Sequence, residues 1–357
     1  MVMRAALAFV HGVVVAAAVL AAASAPAWPQ GAAIVLHQPI SARAAAMGET
    51  GAADNSDPAN VFFNPANVVG STHVYVQGSR WGFESVFFDA SDMWTGGGSV
   101  GISYARAGGS QPVTLSADLA YGRFDYGEST FWDPTGIPLG TYHSFEDYYA
   151  LTLGAGFAFD NQWDLRLGGA VKRWAADLAP AEFTTSGVDA QFDAFAYDLG
   201  VTVARRAVVS DWGIVPAFAA AFVNAGPDIE VPDGSSDPLP TRFHFGTSVR
   251  VESPTARVFS ADVPVIVVVY NVDGIERLHD GRFSWGIGGE LAVAQMLFVR
   301  AGSFDFADND RYLIDSGSGW GIGLGIPVSS FRARFDYTKT SLFYEKDKFG
   351  AALDWIF

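Results

Sequence analysis

The sequence predicts an all-β protein, a transmembrane antiparallel β-barrel of about 14 strands with a small N-terminal helical plug in its lumen. Three features predict this fold: an N-terminal segment typical of exported proteins, repeated alternation of apolar and polar residues, and an aromatic final strand. The 357 residues carry a formal net charge of −16 and no cysteine. This composition excludes a disulfide framework and a thiolate metal site, and it argues against nucleic-acid binding, which needs a basic surface.

Residues 1–27 have the composition of a cleaved signal peptide. Arg4 is their only charged residue, the stretch from Ala5 to Ala23 is apolar, and Ala25-Pro26-Ala27 supplies small residues before a cut after Ala27. An uncleaved anchor is the alternative, because the apolar run is nearly long enough to span a bilayer. No later stretch reaches the roughly 18 apolar residues of a membrane helix. The exported chain is therefore expected to be either a secreted protein or a β-barrel.

Alternation with a period of two residues recurs from about residue 72 to the C-terminus. In residues 331–337 aromatic and aliphatic side chains occupy the odd positions, and charged side chains occupy the even ones. Residues 148–157 and 241–251 alternate in the same way, with charged, hydroxyl-bearing or small residues at the even positions. A strand directs odd and even side chains to opposite faces, so each stretch has one apolar face. Turn clusters separate about fourteen such stretches, and many reach about 10 residues, the length of a tilted membrane-spanning strand.

Alternation alone also fits a soluble β-sandwich, in which the apolar faces form the core. Two features favour a membrane barrel. The mean hydropathy of +0.19 is high for a β-protein with a wet surface. The polar faces are also rich in glycine and alanine, as a crowded barrel interior requires.

The last strand ends on an aromatic residue and carries an apolar face. This ending resembles the terminal strand of bacterial outer-membrane barrels, which the barrel-assembly machinery reads. The resemblance implies a location in the bacterial outer membrane, among its lipids. It also implies that four residues act as the assembly signal: Phe349, Leu353, Trp355 and Phe357.

Residues 28–71 lack the alternation and are expected to form the plug, with residues 72–357 forming the barrel. The stretch from Ser41 to Met47 is alanine-rich and predicts a short helix. Farther on, residues 57–70 contain Asp-Pro-Ala-Asn-Val and then Asn-Pro-Ala-Asn-Val. Aspartate or asparagine followed by proline favours the start of a helical turn, and the residue before proline is pushed out of the helical region. Two short turns with a kink between them are therefore predicted.

The N-terminal segment is similar to the signature of FadL-superfamily outer-membrane proteins, and its form A-R-x-x-x-M-G-E-x-G is closest to the PorV/PorQ branch. The matching residues are Ala42, Arg43, Met47, Gly48, Gly51, Asp57, Asn64, Pro65 and Ala66. The resemblance implies a fourteen-stranded barrel whose plug is held by the Asn-Pro-Ala turn. The plug or gate motif would then comprise Met47, Gly48, Asp57, Phe62, Phe63, Asn64, Pro65 and Ala66. A capping role for the Asn-Pro-Ala turn without any gating is the alternative.

The two branches imply different activities. The FadL branch implies passive passage of hydrophobic small molecules across the outer membrane. The PorV branch implies an accessory role in type IX secretion, in which the barrel binds secreted proteins and passes them to envelope partners. Such partners need outer loops, and the candidates are Gly127 to Ser144 and Gly226 to Pro240.

Charged residues on the polar faces must point into the lumen, because each Arg or Lys on the lipid face would cost about 2–4 kcal/mol at the midplane. They form either a structural ion-pair network between plug and wall or a lining that selects solutes. The predicted lumen charge network comprises Arg242, Arg332, Arg334, Asp336 and Asp354.

No constellation for catalysis or a cofactor stands out. Gly97-Gly98-Ser99-Val100-Gly101 matches the hydrolase elbow, but it opens a predicted strand that no helix follows. The histidines have no metal-ligand spacing. We therefore expect a protein that is not an enzyme and has no cofactor.

Overall fold

The computed structural model describes residues 33–37, 41–81, 83–84, 89–90, 93–106, 112–132, 135–159, 162–184, 187–230, 235–279, 281–305, 317–341 and 345–355. The predicted signal peptide and the predicted terminal Phe357 lie outside the described residues. Among the described helices, none has the length and apolar character needed to cross a membrane.

Fourteen antiparallel strands form a closed barrel, which confirms the predicted fold class. Each strand pairs with its neighbours in sequence, and β1 pairs with β14 to close the wall. The strands are β1 (His73–Trp81), β2 (Trp94–Arg106), β3 (Val113–Trp132), β4 (Pro138–Phe159), β5 (Trp163–Ala179), β6 (Ala190–Arg205), β7 (Trp212–Ala225), β8 (Arg242–Glu252), β9 (Ile266–Arg277), β10 (Phe283–Val293), β11 (Leu297–Asp305), β12 (Gly317–Val328), β13 (Phe331–Thr340) and β14 (Glu345–Trp355).

The two ends of the barrel differ. At the end where β1 begins and β14 ends, most connections are short, such as residues 294–296 and 329–330. We call this the turn end. A small hairpin, Thr255–Val258 paired with Ala261–Pro264, is the longest connection there. The opposite end, which we call the loop end, carries longer connections such as residues 226–241.

The wall separates an apolar outside from a polar inside. On β4 the exposed side chains are Tyr149, Leu151 and Leu153, whereas the buried ones are Tyr148, Ala150 and Thr152. This alternation follows from the pleat of a strand. The barrel is closed and its polar face is the inner one, so the soluble sandwich is excluded.

The described N-terminal residues lie inside the barrel. Residues 41–71, which we call the plug, contain the single α-helix, α1 (Ala42–Ala46), followed by two 3₁₀ turns, Pro58–Phe62 and Pro65–Val68. Helix α1 packs against β11 to β14, and the turn Pro65–Val68 packs mainly against β4, β5 and β6 on the opposite wall. The plug therefore spans the lumen. Residues 33–37, with a 3₁₀ turn at Ile34–Leu36, lie nearer the loop end.

One predicted loop is wrong in its secondary structure. Residues 127–144 were expected to be a loop, but β3 continues to Trp132 and β4 begins at Pro138. Aromatic and β-branched residues favour this extended pairing, and bulges at Gly127 and Trp132 adjust its register. Pairing with β2 stops at Asp125 and pairing with β5 stops at Phe145. The hairpin of residues 126–144, which we call the ribbon, therefore projects beyond the neighbouring strands.

Candidate functional site: the plug and the wall that holds it

Capping residues bring the start of the plug together. Ser41 caps α1 by accepting a hydrogen bond from the backbone N–H of Ala44 at 2.9 Å, and its hydroxyl donates to Asp57 at 2.7 Å. Asp57 in turn accepts from the N–H of Ala59 at the first 3₁₀ turn, with Pro58 in the first position. These caps agree with the predicted helix start and the predicted turn. The two caps are thus joined by one hydrogen bond.

Asn64 caps the second turn and also reaches the wall. Its Oδ1 accepts from the N–H of Ala66 at 3.0 Å, as the sequence predicts. Its Nδ2 donates to the carbonyl of Ala52 and to Thr202 Oγ1 of β6, both at 2.9 Å. The asparagine of the repeat therefore links the plug to itself and to the barrel.

The doubled Pro-Ala-Asn sequence has a structural explanation. Asn60 from the first copy donates to the carbonyl of Asp54 at 2.7 Å, and Asn67 from the second copy donates to the carbonyl of Gly51 at 2.9 Å. Both asparagines are fully buried. Each repeat thus supplies an amide that binds backbone carbonyls of the irregular segment before the turns, those of Gly51, Ala52 and Asp54.

Glycines in the wall make room for the plug. A Cβ at Gly168 of β5 would overlap the backbone of Pro65, and one at Gly200 of β6 would overlap the side chain of Asn64. On the other side, Gly48 has φ of 70°, a left-handed conformation that favours glycine, and a Cβ there would overlap the backbone of Ser303. Backbone therefore lies directly on backbone at both ends of the plug.

A row of alternating charges joins the plug to β10, β11 and β13. Arg43 of α1 donates to Glu290 at 2.8 Å and to Asp54 at 2.6 Å. Glu290 also accepts from Arg300. The row, which we call the charge chain, runs Asp54, Arg43, Glu290, Arg300, Asp336, Arg334 and Asp57. Every side chain in it is at most 6% exposed.

The charge chain crosses β12 because that strand has no side chain in its path. Arg300 on β11 donates to Asp336 on β13 at 2.6 Å, although β12 lies between them. A Cβ at Gly323 of β12 would approach Arg300 Nη1 to 3.0 Å and would overlap the Asp336 carboxylate. The contact between Arg300 and Asp336 therefore requires glycine at position 323.

Opposite charges control the ionisation of the plug members of the charge chain. Burial alone would lower the pKa of Arg43, but the carboxylates of Asp54 and Glu290 raise it above its ordinary value. Burial would raise the pKa of Asp54, but the Arg43 guanidinium and hydrogen bonds from Ser56 hold it below its ordinary value. Both groups are therefore charged at neutral pH.

The predicted lumen network is divided between three places. Arg334 and Asp336 lie together in the charge chain at 2.7 Å. Arg332 and Asp354 form a neighbouring pair at 2.7 Å. Arg242 lies apart, where it donates to the carbonyl of Leu36 at 2.7 Å. The prediction thus placed these five residues in the lumen without resolving their grouping.

Sequence reasoning missed Arg43, Asp54 and Glu290 as charge-chain members. Glu290 shares its alternation phase with Ser284, so the two-residue period could have placed it inside. Arg43 matches the family signature and is the one charge in an alanine-rich helix, but neither observation identifies its partners. Asp54 has no periodic context.

A cluster of buried apolar side chains lies inside the barrel between the plug and the loop end. Phe62 of the plug contributes to it, and the rings of Phe62 and Phe63 meet edge to face with centroids 5.8 Å apart. We call it the interior cluster, and its largest buried members are Leu36, Phe62, Phe124, Tyr148, Trp174, Ile229 and Leu239. Lys172 Nζ and Arg242 Cζ lie 5.4 and 5.8 Å from the Phe62 ring centroid, within cation–π range.

Asn224 organises the polar edge of the interior cluster. It lies at a bulge of β7 with φ of 58° and is completely buried. Its Oδ1 accepts from Lys172 at 2.8 Å, and its Nδ2 donates to the carbonyl of Leu36 at 3.2 Å. Lys172 also forms an ion pair with Asp198 at 2.7 Å. Asn224 therefore shares with Arg242 the task of holding the Leu36 carbonyl against the wall.

The described part of the predicted assembly signal lies on the outer face. Phe349 and Trp355 are exposed, and Leu353 is half-buried. The hydrolase-like Gly97–Gly101 segment lies within β2. Among the described residues no group of His, Asp and Glu is arranged to hold a metal ion.

No protein-family model matches the chain, and no curated protein matches it. Several solved structures do match the chain. The toluene transporter TodX of Pseudomonas putida aligns with a TM-score of 0.50 at 11% identity, covering 88% of this chain and 96% of that one. The deltaS2 mutant of TodX, a monoaromatic hydrocarbon channel, aligns with a TM-score of 0.51 at 11% identity, covering 90% and 99%. The likeness covers most of each chain and shows that this protein has the fold of those barrels.

Proposed function

We propose that the protein is a FadL-type barrel of the bacterial outer membrane that lets hydrophobic small molecules pass across it by diffusion. The observation that carries the proposal is the position of Phe62, which belongs to the plug and also to the interior cluster. The Phe62 ring therefore obstructs the lumen and also presents an apolar surface to a molecule inside it. The fold shared with a toluene transporter supports the same activity.

The apolar outer face supports the membrane setting. Side chains such as Leu119, Leu199 and Leu324 are more than 60% exposed on the outside of the wall, where water would be costly for them. Outer-membrane barrels carry short turns on the periplasmic side and longer loops on the outside. The turn end is then periplasmic, and a molecule from outside meets the interior cluster before it meets the plug.

In this proposal the plug is the gate. The contacts on the loop-end side of the plug are largely apolar, whereas those with β10, β11 and β13 are charged and specific. A solute in the interior cluster would compete for Phe62 while the charge chain keeps α1 on the wall. Movement of the segment from Pro58 to Val68 would then open a path past β4, β5 and β6, against which its second turn packs. Asn64 to Ala66, with its wall contacts, is the part that must move.

Native mass spectrometry of protein extracted gently from its own membrane tests the proposal. A small apolar adduct is expected on the wild type, and it should be lost when Phe62 and Phe63 are both changed to Leu. Phe245→Leu is the matched control, because Phe245 is exposed on the outer face of β8. An adduct absent from the wild type, or kept equally by the double variant and the control, would contradict the proposal.

The second candidate is an accessory protein of type IX secretion, as the PorV/PorQ resemblance implies. The ribbon favours it, because Trp132, Ile137 and Leu139 are 56–60% exposed beyond the barrel wall. Exposed aromatic and aliphatic residues on a projecting hairpin suit a protein partner. In the same experiment, a co-purifying protein together with an empty lumen would favour this candidate over passage.

A further inference from the structure

The outer face of the wall has a depression where β1 and β2 meet. Gly98 of β2 is directly opposite Val76 of β1 in the strand register. Gly98 belongs to the outward-facing phase of its strand, so this position adds no side chain to the membrane side of the wall. Glycine within a strand is typical of places where another group approaches the backbone closely.

A groove of about 760 Å³ lies over this depression. The side chains that line it along the barrel are almost all aliphatic: Val74, Val76, Val100, Leu119, Leu151 and Val171. Each is 43–64% exposed, so these side chains point away from the lumen. Toward the loop end the groove reaches Tyr121, Tyr149 and Arg173. Its apolar part and its polar end match an amphipathic molecule that lies across the strands from β1 to β5.

The cation at the loop end of the groove is Arg173. Arg173 is directly opposite Tyr149 on β4 and Phe195 on β6, so it belongs to an outward row with aromatic neighbours. Its only described ion pair is with Asp193, 4.0 Å away, and both side chains are largely exposed. Arg123, the next arginine on this face, is held by Asp147 at 2.7 Å. Arg173 is therefore the guanidinium available to an anion at this end.

We propose that the groove binds an anionic, phosphate-bearing lipid of the surrounding membrane, with one acyl chain on the aliphatic side chains around Gly98 and the headgroup phosphate at Arg173. The occupant follows from the position: in the proposed membrane setting only lipid surrounds this face. An arginine that forms only a weak, exposed ion pair can leave its carboxylate and bind a phosphate instead. The guanidinium then holds the phosphate through two parallel hydrogen bonds. The inference rests on that membrane setting but not on the passage of small molecules.

The test uses the full chain, reconstituted and then transferred to detergent for native mass spectrometry. The probes are phosphatidylglycerol and phosphatidylcholine with identical acyl chains, added separately at equal concentration. Wild type is expected to retain one phosphatidylglycerol at least fivefold more than phosphatidylcholine. Arg173→Gln should abolish that preference, whereas Arg205→Gln, an exposed cation at the turn end, should preserve it.

A second pair of variants tests the apolar part of the groove. Leu119→Trp fills the groove and should reduce retention of both lipids at least fivefold, whereas Leu324→Trp, equally exposed on β12, should leave it unchanged. Heat-modifiable migration in gels establishes that each variant is a folded barrel. Equal phosphatidylglycerol retention by Arg173→Gln and Arg205→Gln, or by the two tryptophan variants, would overturn the lipid site. A wild type that does not insert into vesicles would instead overturn the proposed membrane setting.

Discussion

Arg43 and Glu290 form the contact that fixes the plug to the wall. They lie 247 positions apart in the chain, and the guanidinium meets the carboxylate through two hydrogen bonds, at 2.8 and 3.1 Å. Both side chains are almost completely buried. Because Arg43 also holds Asp54 and Glu290 also holds Arg300, this pair is the point where the plug joins the charge chain of the barrel.

Replacing Arg43 by Met should therefore weaken plug docking strongly. Asp54 would keep its burial and lose its cation, and loss of one partner from a buried pair costs about 3–5 kcal/mol. The expected result is faster protease cleavage within residues 41–71 and a lower unfolding temperature. Arg257→Gln is the control, because Arg257 and Asp262 are an exposed pair worth at most about 1 kcal/mol. If Arg43→Met and Arg257→Gln showed equal protease cleavage and equal unfolding temperatures, the charge chain would not be what holds the plug.

Two adjacent glycines of β5 should differ sharply in their tolerance of alanine. A Cβ at Gly168 would overlap the backbone of Pro65, whereas one at Gly169 would lie 3.5 Å from Leu199, an ordinary contact. We expect Gly168→Ala to destabilise docking of the plug by about 1–3 kcal/mol through overpacking. Gly169→Ala should stay within about 1 kcal/mol of the wild type. Chemical denaturation in detergent would measure both, and a reversed order would show that the turn at Pro65 does not rest on β5.

Substitutions of Asn224 separate its backbone role from its side-chain role. Asn224→Gly keeps the left-handed backbone but removes the hydrogen bonds to Lys172 and Leu36, of which the bond to the charged Lys172 is worth about 1.5–3 kcal/mol. Asn224→Ala removes the same bonds and adds about 1–2 kcal/mol of left-handed strain. The alanine variant should therefore be the less stable of the two by denaturation. Equal stabilities would mean that the bulge relaxes its conformation.

Acid should release the plug through Asp54. Its pKa is depressed in the folded protein, so its contribution to stability is present above the ordinary carboxyl pKa of about 3.9 and is lost as the pH falls through the folded value. We expect protease access to residues 41–71 to rise below about pH 4. Asp54→Asn should show high access at pH 7 already and a smaller increase on acidification. An unchanged acid response in that variant would assign the pH dependence to other carboxylates.

The sequence predicted the parts of this fold that depend on local rules. The two-residue period placed Arg334 and Asp336 in the lumen and Phe349 outside, because the pleat alone decides the face. The caps at Asp57 and Asn64 followed from their prolines. The charge chain could not be foreseen, since Arg43 and Glu290 meet only through barrel closure. The ribbon was mistaken for a loop because glycine and proline at its tip hid the strand pairing around them.

The disulfide-locked plug gives the most direct test of plug-gated passage. The chain has no cysteine, and a Cβ at Gly200 of β6 would lie 3.1 Å from the Cγ of Asn64, in the segment that is proposed to move, which is within reach of a disulfide. The variant Asn64→Cys with Gly200→Cys would be expressed in a Gram-negative host that lacks its own channels for hydrophobic compounds. Uptake of radiolabelled toluene would be compared with and without reductant, with Asn64→Cys alone as control. The account predicts uptake several-fold above the empty host for the reduced variant, and a fall toward that background after oxidation. Uptake no faster than in the empty host, or equal uptake by the oxidised and reduced forms, would contradict it.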